Sequence, residues 1–174
     1  MSKAVHNEFL IPIKGLSTGK HNYNFTLDTP FFSQFDNSLV SEALLTAEIV
    51  LDKQPLWIGI SGRIKGDVLT ECDRCLDELR VPLDAEVKLI VKFSRTEGEE
   101  DSDEVMILEP GEAELDLEQF FYDYVCLSLP LQRVHPEGKC NGDMERKLKA
   151  LSGSNKVKEA DDYSPFGKLK DLLN

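Results

Sequence analysis

Cys72 and Cys75 stand three positions apart in "ECDRCL", with Asp73 and Arg74 between them. Both thiols of such a turn can point at one ion, which is half of a tetrahedral zinc site. "VHPEGKC" offers the other half: His135 and Cys140 have four residues between them, and Pro136 and Gly138 suit a loop that turns both back on one point. Cys72, Cys75, His135 and Cys140 together make a candidate shell for one structural Zn2+. Three thiolates outweigh a divalent ion by one negative charge, which Arg74 or Lys139 would offset.

Two other readings of the Cys-x-x-Cys pair stay open. A redox couple of the thioredoxin type sits at a helix N-terminus after a parallel strand, where the helix dipole lowers the first thiol's pKa. This pair instead falls between two antiparallel strands. The third reading has no ion, only small side chains at a strand junction. Cys126, inside "YDYVCLSLP", reads as a buried small hydrophobe.

Little else is arranged for catalysis. His6 and His21 are isolated among polar residues, and there is no Gly-x-Ser-x-Gly, phosphate-cradling loop or His-Glu-x-x-His. The acids gather in one run, where they are not held at the fixed separations that general acid–base work requires. The sequence argues against an enzyme.

That run sets the charge of the chain. Residues 97 to 118 hold eleven acids and no Lys or Arg, so nearly all of the net charge of −12 resides there. Its first part, an acidic loop at about 95–104 (Glu99, Glu100, Asp101, Asp103 and Glu104), reads as a solvated surface loop that keeps the chain soluble; the alternative is that the 97–118 run draws a basic partner over roughly one Debye length, about 8 Å. Elsewhere the charges nearly balance. The candidates for contact with nucleic-acid phosphates are Arg63, Lys65, Arg74, Arg80, Lys88 and Lys92, beside the Cys-x-x-Cys turn, with no dense basic stripe.

These residues need strands to position them. "NEFLIPIKGL" reads as one strand and "KHNYNFTLD" as a second. "TPFFSQFD" reads as a turn of helix with Thr29 as cap and Pro30 in the first position. "SEALLTAEIVLDK" alternates, with Leu45, Ala47, Ile49 and Leu51 on one face. "PLWIGISGRIKGDVLTE" continues the period with Leu56, Ile58, Ile60 and Ile64, its glycines at 59, 62 and 66 suggesting bends or bulges. "LRVPLDAEVKLIVKF" turns Val87, Leu89, Val91 and Phe93 inward. Strands this close in sequence pair as antiparallel hairpins. "VMILEP" is a short strand, and "DLEQFFYDYVCLSL" shifts to helical period with Leu117, Phe120, Phe121, Tyr124 and Ser128 on one face. Asp116 and Gln119 are spaced there for a capping box, and Pro130 ends the helix. The expected fold is α+β: a curved antiparallel sheet or partly open barrel of about six strands, one packed helix and a short C-terminal helix.

With 174 residues, the chain fits one domain over residues 1–151, followed by a linker and C-terminal amphipathic helix over 152–174. In "SPFGKLKDLLN", Ser164 and Pro165 suit a helix start, and Phe166, Leu169 and Leu173 form an apolar edge. The apolar runs are short, and the N-terminus lacks the apolar stretch of a signal peptide, so a reducing, cytoplasmic setting is expected.

"CDRCL" closing a long strand, "ELDLEQFFYDYVCLSLPLQRVH" after an acidic loop, then "KC" and "SPFGKLKDLL" together resemble the YceD family, bacterial and plastid proteins linked to accumulation of large-subunit ribosomal RNA. The resemblance runs from about Leu56 to the C-terminus. It puts the family's Cys-x-Arg-Cys on Cys72, Arg74 and Cys75, and its Leu-x-Leu-Pro on Leu127, Leu129 and Pro130. Its His and Cys fall on His135 and Cys140, and its C-terminal motif on Pro165, Phe166, Leu169 and Leu172. Arg133 stands where many members have proline, and "NGDMERK" where many carry a further Cys-x-x-Cys-Gly. Unless Cys126 takes part, the one complete shell left includes His135. The resemblance implies a non-catalytic role in ribosome biogenesis, with precursor rRNA or a basic large-subunit ribosomal protein as partner. Phe166, Leu169 and Leu172 join the acidic loop as candidate partner contacts. A structural zinc module of unrelated role and a thiol oxidoreductase are the alternatives.

Overall fold

The period-two segments form one twisted meander. The computed structural model describes residues 7–93 and 104–152, and β2 (Gly19–Asp28), β3 (Glu42–Lys53), β4 (Trp57–Glu71) and β5 (Glu78–Phe93) pair there in sequence order as antiparallel neighbours. Alternate residues of these strands, among them Leu27, Leu45, Ile49, Leu51, Ile58, Ile64, Val87 and Val91, are fully or almost fully buried, and they make the sheet's inner face. β1 (Leu10–Pro12) and β7 (Glu114–Asp116) form a separate two-stranded antiparallel ribbon. Phe9, Ile11, Leu115 and Leu117 from this ribbon and its flanks join the same core. The sheet is curved, open and largely antiparallel, as the alternation implied.

Three α-helices are present among the described residues: α1 (Thr29–Phe32), α2 (Glu118–Ser128) and α3 (Gly142–Ser152). α2 lays Phe120, Phe121 and Val125 on the sheet, and Phe121 packs 5.2 Å from Phe25 and 6.1 Å from Phe9 between ring centres. Its Tyr124 hydroxyl donates to the Lys88 carbonyl at 2.8 Å, fixing the helix against β5.

Several local expectations are corrected. Asp28 caps α1, its carboxylate accepting from the Phe31 amide, while the Thr29 hydroxyl accepts from the Ala43 amide. Leu56 lies outside β4 and is 81% exposed, because the inward alternation begins at Ile58. On α2, Val125 is buried and Ser128 is exposed. No capping box forms there: Leu117 occupies the cap position, Asp116 accepts from the Glu118 amide, and Gln119 donates to Asp123. β6 (Val105–Leu108) pairs with β5 in parallel.

The β4 glycines make no bulge. The β3–β4 and β4–β5 registers run unbroken from end to end. The glycines serve close approach instead: a Cβ on Gly62 would lie 2.2 Å from the Glu48 carbonyl oxygen, and one on Gly66, where φ is +145°, 2.1 Å from that of Leu44. The proposed loop residues Glu99, Glu100, Asp101 and Asp103, the linker, and the C-terminal segment with Phe166, Leu169 and Leu172 lie outside the described residues, as does His6.

Candidate metal centre

β4 and β5 pair along their whole length, down to Glu71 opposite Glu78, so residues 72–77 form the tip of a long hairpin. The chain turns there sharply: the Leu76 amide donates to the Cys72 carbonyl at 2.9 Å, the Cys72 amide to the Asp77 carbonyl at 2.9 Å, and Leu76 adopts φ +63°. That left-handed conformation costs a side chain such as leucine roughly 1–2 kcal/mol, a strain consistent with a turn shaped by its sulfurs. It brings Cys72 and Cys75 to the same side.

The loop after α2 closes on this tip. Asp73 anchors it through its carboxylate, which accepts from the Arg133 amide at 2.7 Å and from the Arg133 guanidinium at 2.8 Å, and through its own amide, which donates to the Arg133 carbonyl at 2.7 Å. The Arg133 guanidinium also reaches the Thr70 hydroxyl at 3.3 Å. Two residues further on, His135 Nε2 donates to the Glu78 carbonyl at 3.0 Å, which turns Nδ1 toward the sulfurs, where a bound ion would take its lone pair. Cys140 then enters just before α3, which Asn141 caps by accepting from the amides of Asp143 and Met144.

The four candidate ligands therefore meet. Their donor atoms all lie within 4.8 Å of one another: Cys72 Sγ is 3.9 Å from Cys140 Sγ, and His135 Nδ1 is 3.4 Å from Cys75 Sγ and 4.0 Å from Cys140 Sγ. A zinc ion bonded to sulfur at about 2.3 Å and to nitrogen at about 2.0 Å spaces its ligands by roughly 3.5–3.8 Å along the edges of the tetrahedron. The donor set and its spacing fit such an ion. The three sulfurs are at most 9% exposed, and Cys126, on α2, does not belong to the group.

Electrostatics at the cluster favour a cation. Burial pushes the Cys72 thiol up, but hydrogen bonds from the backbone amides of Cys75, His135 and Arg74 outweigh it and bring the thiol down to about 6. Cys140 goes the other way: burial, with the neighbouring Cys75 and Cys72 sulfurs adding to it, pushes it up to about 11. Thiolates held this close together are stable only around a positive charge. Backbone amides at Cys72 thus perform part of the charge compensation that the sequence assigns to Arg74 or Lys139. Both of those residues are exposed.

The redox reading finds no helix N-terminus behind the pair, and with Cys72 at 0% and Cys75 at 2% exposure a thiol or disulfide of another molecule has no direct path to either sulfur. The cluster also has its own small core, separate from the main one: Cys72, Cys75, Leu79 and Cys140, with Val81, Val134 and Met144 against them. So few apolar groups cannot hold a hairpin tip, a loop and a helix together, which is the circumstance in which small folds recruit a metal.

Arg63, Lys65, Arg80, Lys88 and Lys92 all lie on the outer face of the sheet, because the unbroken β4–β5 register places them in facing rows. Acids occupy the same rows. Arg63 is flanked by Glu48 and Glu86 and ion-paired with Asp84, which Lys65 approaches at 3.8 Å, and Glu42 and Asp67 stand nearby. Arg74 is apart from them at the hairpin tip. Of the acidic belt, Glu104, Glu109, Glu112, Glu114 and Asp116 are exposed, and none forms an ion pair with any described residue. His21 does no more than approach the Ser17 carbonyl, at 2.9 Å.

The sequence reading missed the Asp73–Arg133 clamp and α3. The clamp had no signal, since its partners are sixty residues apart. α3 had one: Asn141 before Asp143 and Glu145, with Met144, Leu148 and Leu151 at helical spacing.

An open, curved, largely antiparallel sheet whose longest hairpin carries a mostly buried Cys3His cluster defines an α+β protein with a candidate structural metal centre. The family model described as large ribosomal RNA subunit accumulation protein YceD matches residues 60–173, and the chain belongs to that family. That description ties the chain to large-subunit rRNA accumulation. The match takes in the whole cluster and begins within β4. Neither the curated proteins nor the solved structures include a match. No helix among the described residues is long and apolar enough to cross a membrane.

Proposed function

We propose that the protein supports accumulation of large-subunit rRNA in the cytoplasm as a non-catalytic binding factor, with one structural Zn2+ and a basic large-subunit ribosomal protein as its partner. Cys72, Cys75, His135 and Cys140 would hold the ion. When bound, the ion supplies cross-linking of the hairpin tip to the 130–141 loop and no reaction chemistry, because all four positions of a tetrahedron are taken by protein.

The observation that carries the choice of partner is the run of exposed acids along the chain from Glu104 to Asp116, free of ion pairs within the described residues. Such a run attracts a polycation and repels phosphate. Contact with RNA through Arg63, Lys65, Arg74, Arg80, Lys88 and Lys92 is disfavoured by the acids interleaved among five of them, which leave no continuous positive track. Glu99, Glu100, Asp101 and Asp103 would extend the acidic surface, and Phe166, Leu169 and Leu172 would add an apolar contact.

The test is co-sedimentation with large-subunit precursors. Replacing Glu104, Glu109, Glu112, Glu114 and Asp116 with Ser is expected to abolish it and to lower large-subunit rRNA relative to small-subunit rRNA. Undiminished association, or low-salt binding of protein-free rRNA that falls steeply as salt rises, would overturn the protein-partner reading in favour of RNA.

A further inference from the structure

β2 is an edge strand. Its ten residues pair with β3 on one side, and on the other side no backbone group of another described element bonds to it. On the opposite side of the sheet β6 covers β5 from Ile90 to Phe93, Tyr124 occupies the backbone of Lys88, donating to its carbonyl and accepting from its amide, and the remaining stretch Glu78–Val87, which no described strand covers on that side, carries Pro82. β2 also lacks the devices that keep an edge from pairing. It has no proline, no bulge interrupts its register, and it holds a single lysine.

The strand's own sequence is complementary to itself. Residues that face each other across antiparallel strands share a face of the sheet, and a slip by one residue sets inner side chains against outer ones. In the register centred on Asn24, "KHNYNFTLD" reversed against a second copy places its one lysine, Lys20, opposite its one carboxylate, Asp28. Asn22 then faces Thr26 on the outer side, and on the inner side Tyr23 faces Phe25 and His21 faces Leu27. A shift by two residues puts Lys20 against Thr26 or beyond the strand. The inner face has room for the added contacts: Phe25 and Leu27 are buried, whereas His21 and Tyr23 are half-exposed, and Tyr23 already stacks on Phe25 at 6.2 Å. A second copy would extend that stack to four rings.

We propose that β2 is a dimerisation edge on which a second copy of this chain pairs antiparallel about Asn24, Lys20 meeting the partner's Asp28. The proposal does not depend on the functional reading above.

The test is register-specific cross-linking of the full chain, with disulfides assigned by peptide mass. Asn24→Cys is expected to give a 24–24 interchain disulfide on mild oxidation. Asn22→Cys and Thr26→Cys should each fail alone and cross-link to each other when mixed. By sedimentation equilibrium the unsubstituted protein is expected to be a dimer, and Lys20→Glu, which opposes two carboxylates at both ends of the pairing, should weaken it about tenfold with unchanged circular dichroism. A monomer at every concentration, or a dimer whose cross-links ignore this register, would overturn the proposal.

Discussion

Asp73 holds Arg133 by three hydrogen bonds of 2.7–2.8 Å, two from the carboxylate and one from the backbone, and so fastens the loop carrying His135 to the turn carrying Cys72 and Cys75. The clamp thereby orients the ligands of the two halves toward one point. Asp73→Ala is therefore expected to weaken zinc retention roughly 10- to 100-fold, the usual scale for a residue that orients metal ligands. Competition with a chromogenic chelator measures it. An unchanged affinity would mean that the ligands orient themselves.

Gly62 allows the β3 backbone to lie against β4, and Gly66 does the same in a conformation that side chains rarely adopt. Gly62→Ala should destabilise the protein by roughly 3 kcal/mol or more in urea unfolding, because a Cβ at 2.2 Å from a carbonyl oxygen forces the two strands apart. Gly142→Ala, with nothing within 4 Å of the new atom, should be neutral.

The exposed Asp84 carboxyl is held below the usual carboxylate range, first by the hydrogen bond from Arg63 and then, against a smaller opposing effect of burial, by the charges of Arg63 and Lys65. A lowered acid stabilises the fold above its ordinary pKa, and that contribution disappears as pH falls through the lowered value. Asp84→Asn should accordingly shift the urea midpoint slightly downward at neutral pH, and the difference should shrink as pH falls through the lowered value. A difference that persists in acid would assign the effect to packing.

The central strands and the cluster were legible in the sequence for distinct reasons. Period-two burial fixes which face of a strand is covered, and Leu45 to Leu51 and Val87 to Phe93 obey it because one side of the sheet faces water. The ligand set was legible because sulfur and imidazole at short spacings have few other uses. Tertiary contacts decided the remainder. β6 pairs in parallel because of where the chain returns, which no local pattern records. Glycines 62 and 66 read as bends or bulges because a close approach and a bulge leave the same mark in one strand, and they are told apart only by the neighbour. The capping box at Asp116 and Gln119 gave way because Asp116 is held in the β1–β7 ribbon, which delays the helix to Glu118.

The central claim is that Cys72, Cys75, His135 and Cys140 surround an ion, and the most direct test is zinc analysis of the protein purified under reducing conditions without affinity tags or added metal. The account predicts about one zinc per chain, lost in Cys72→Ser and in His135→Ala. It also predicts that chelation loosens the 130–141 loop and α3 in hydrogen exchange while the main core of the sheet stays protected, because the two cores are separate. Protein that carries no metal, takes up none when zinc is supplied, and keeps the loop and α3 protected all the same would contradict it.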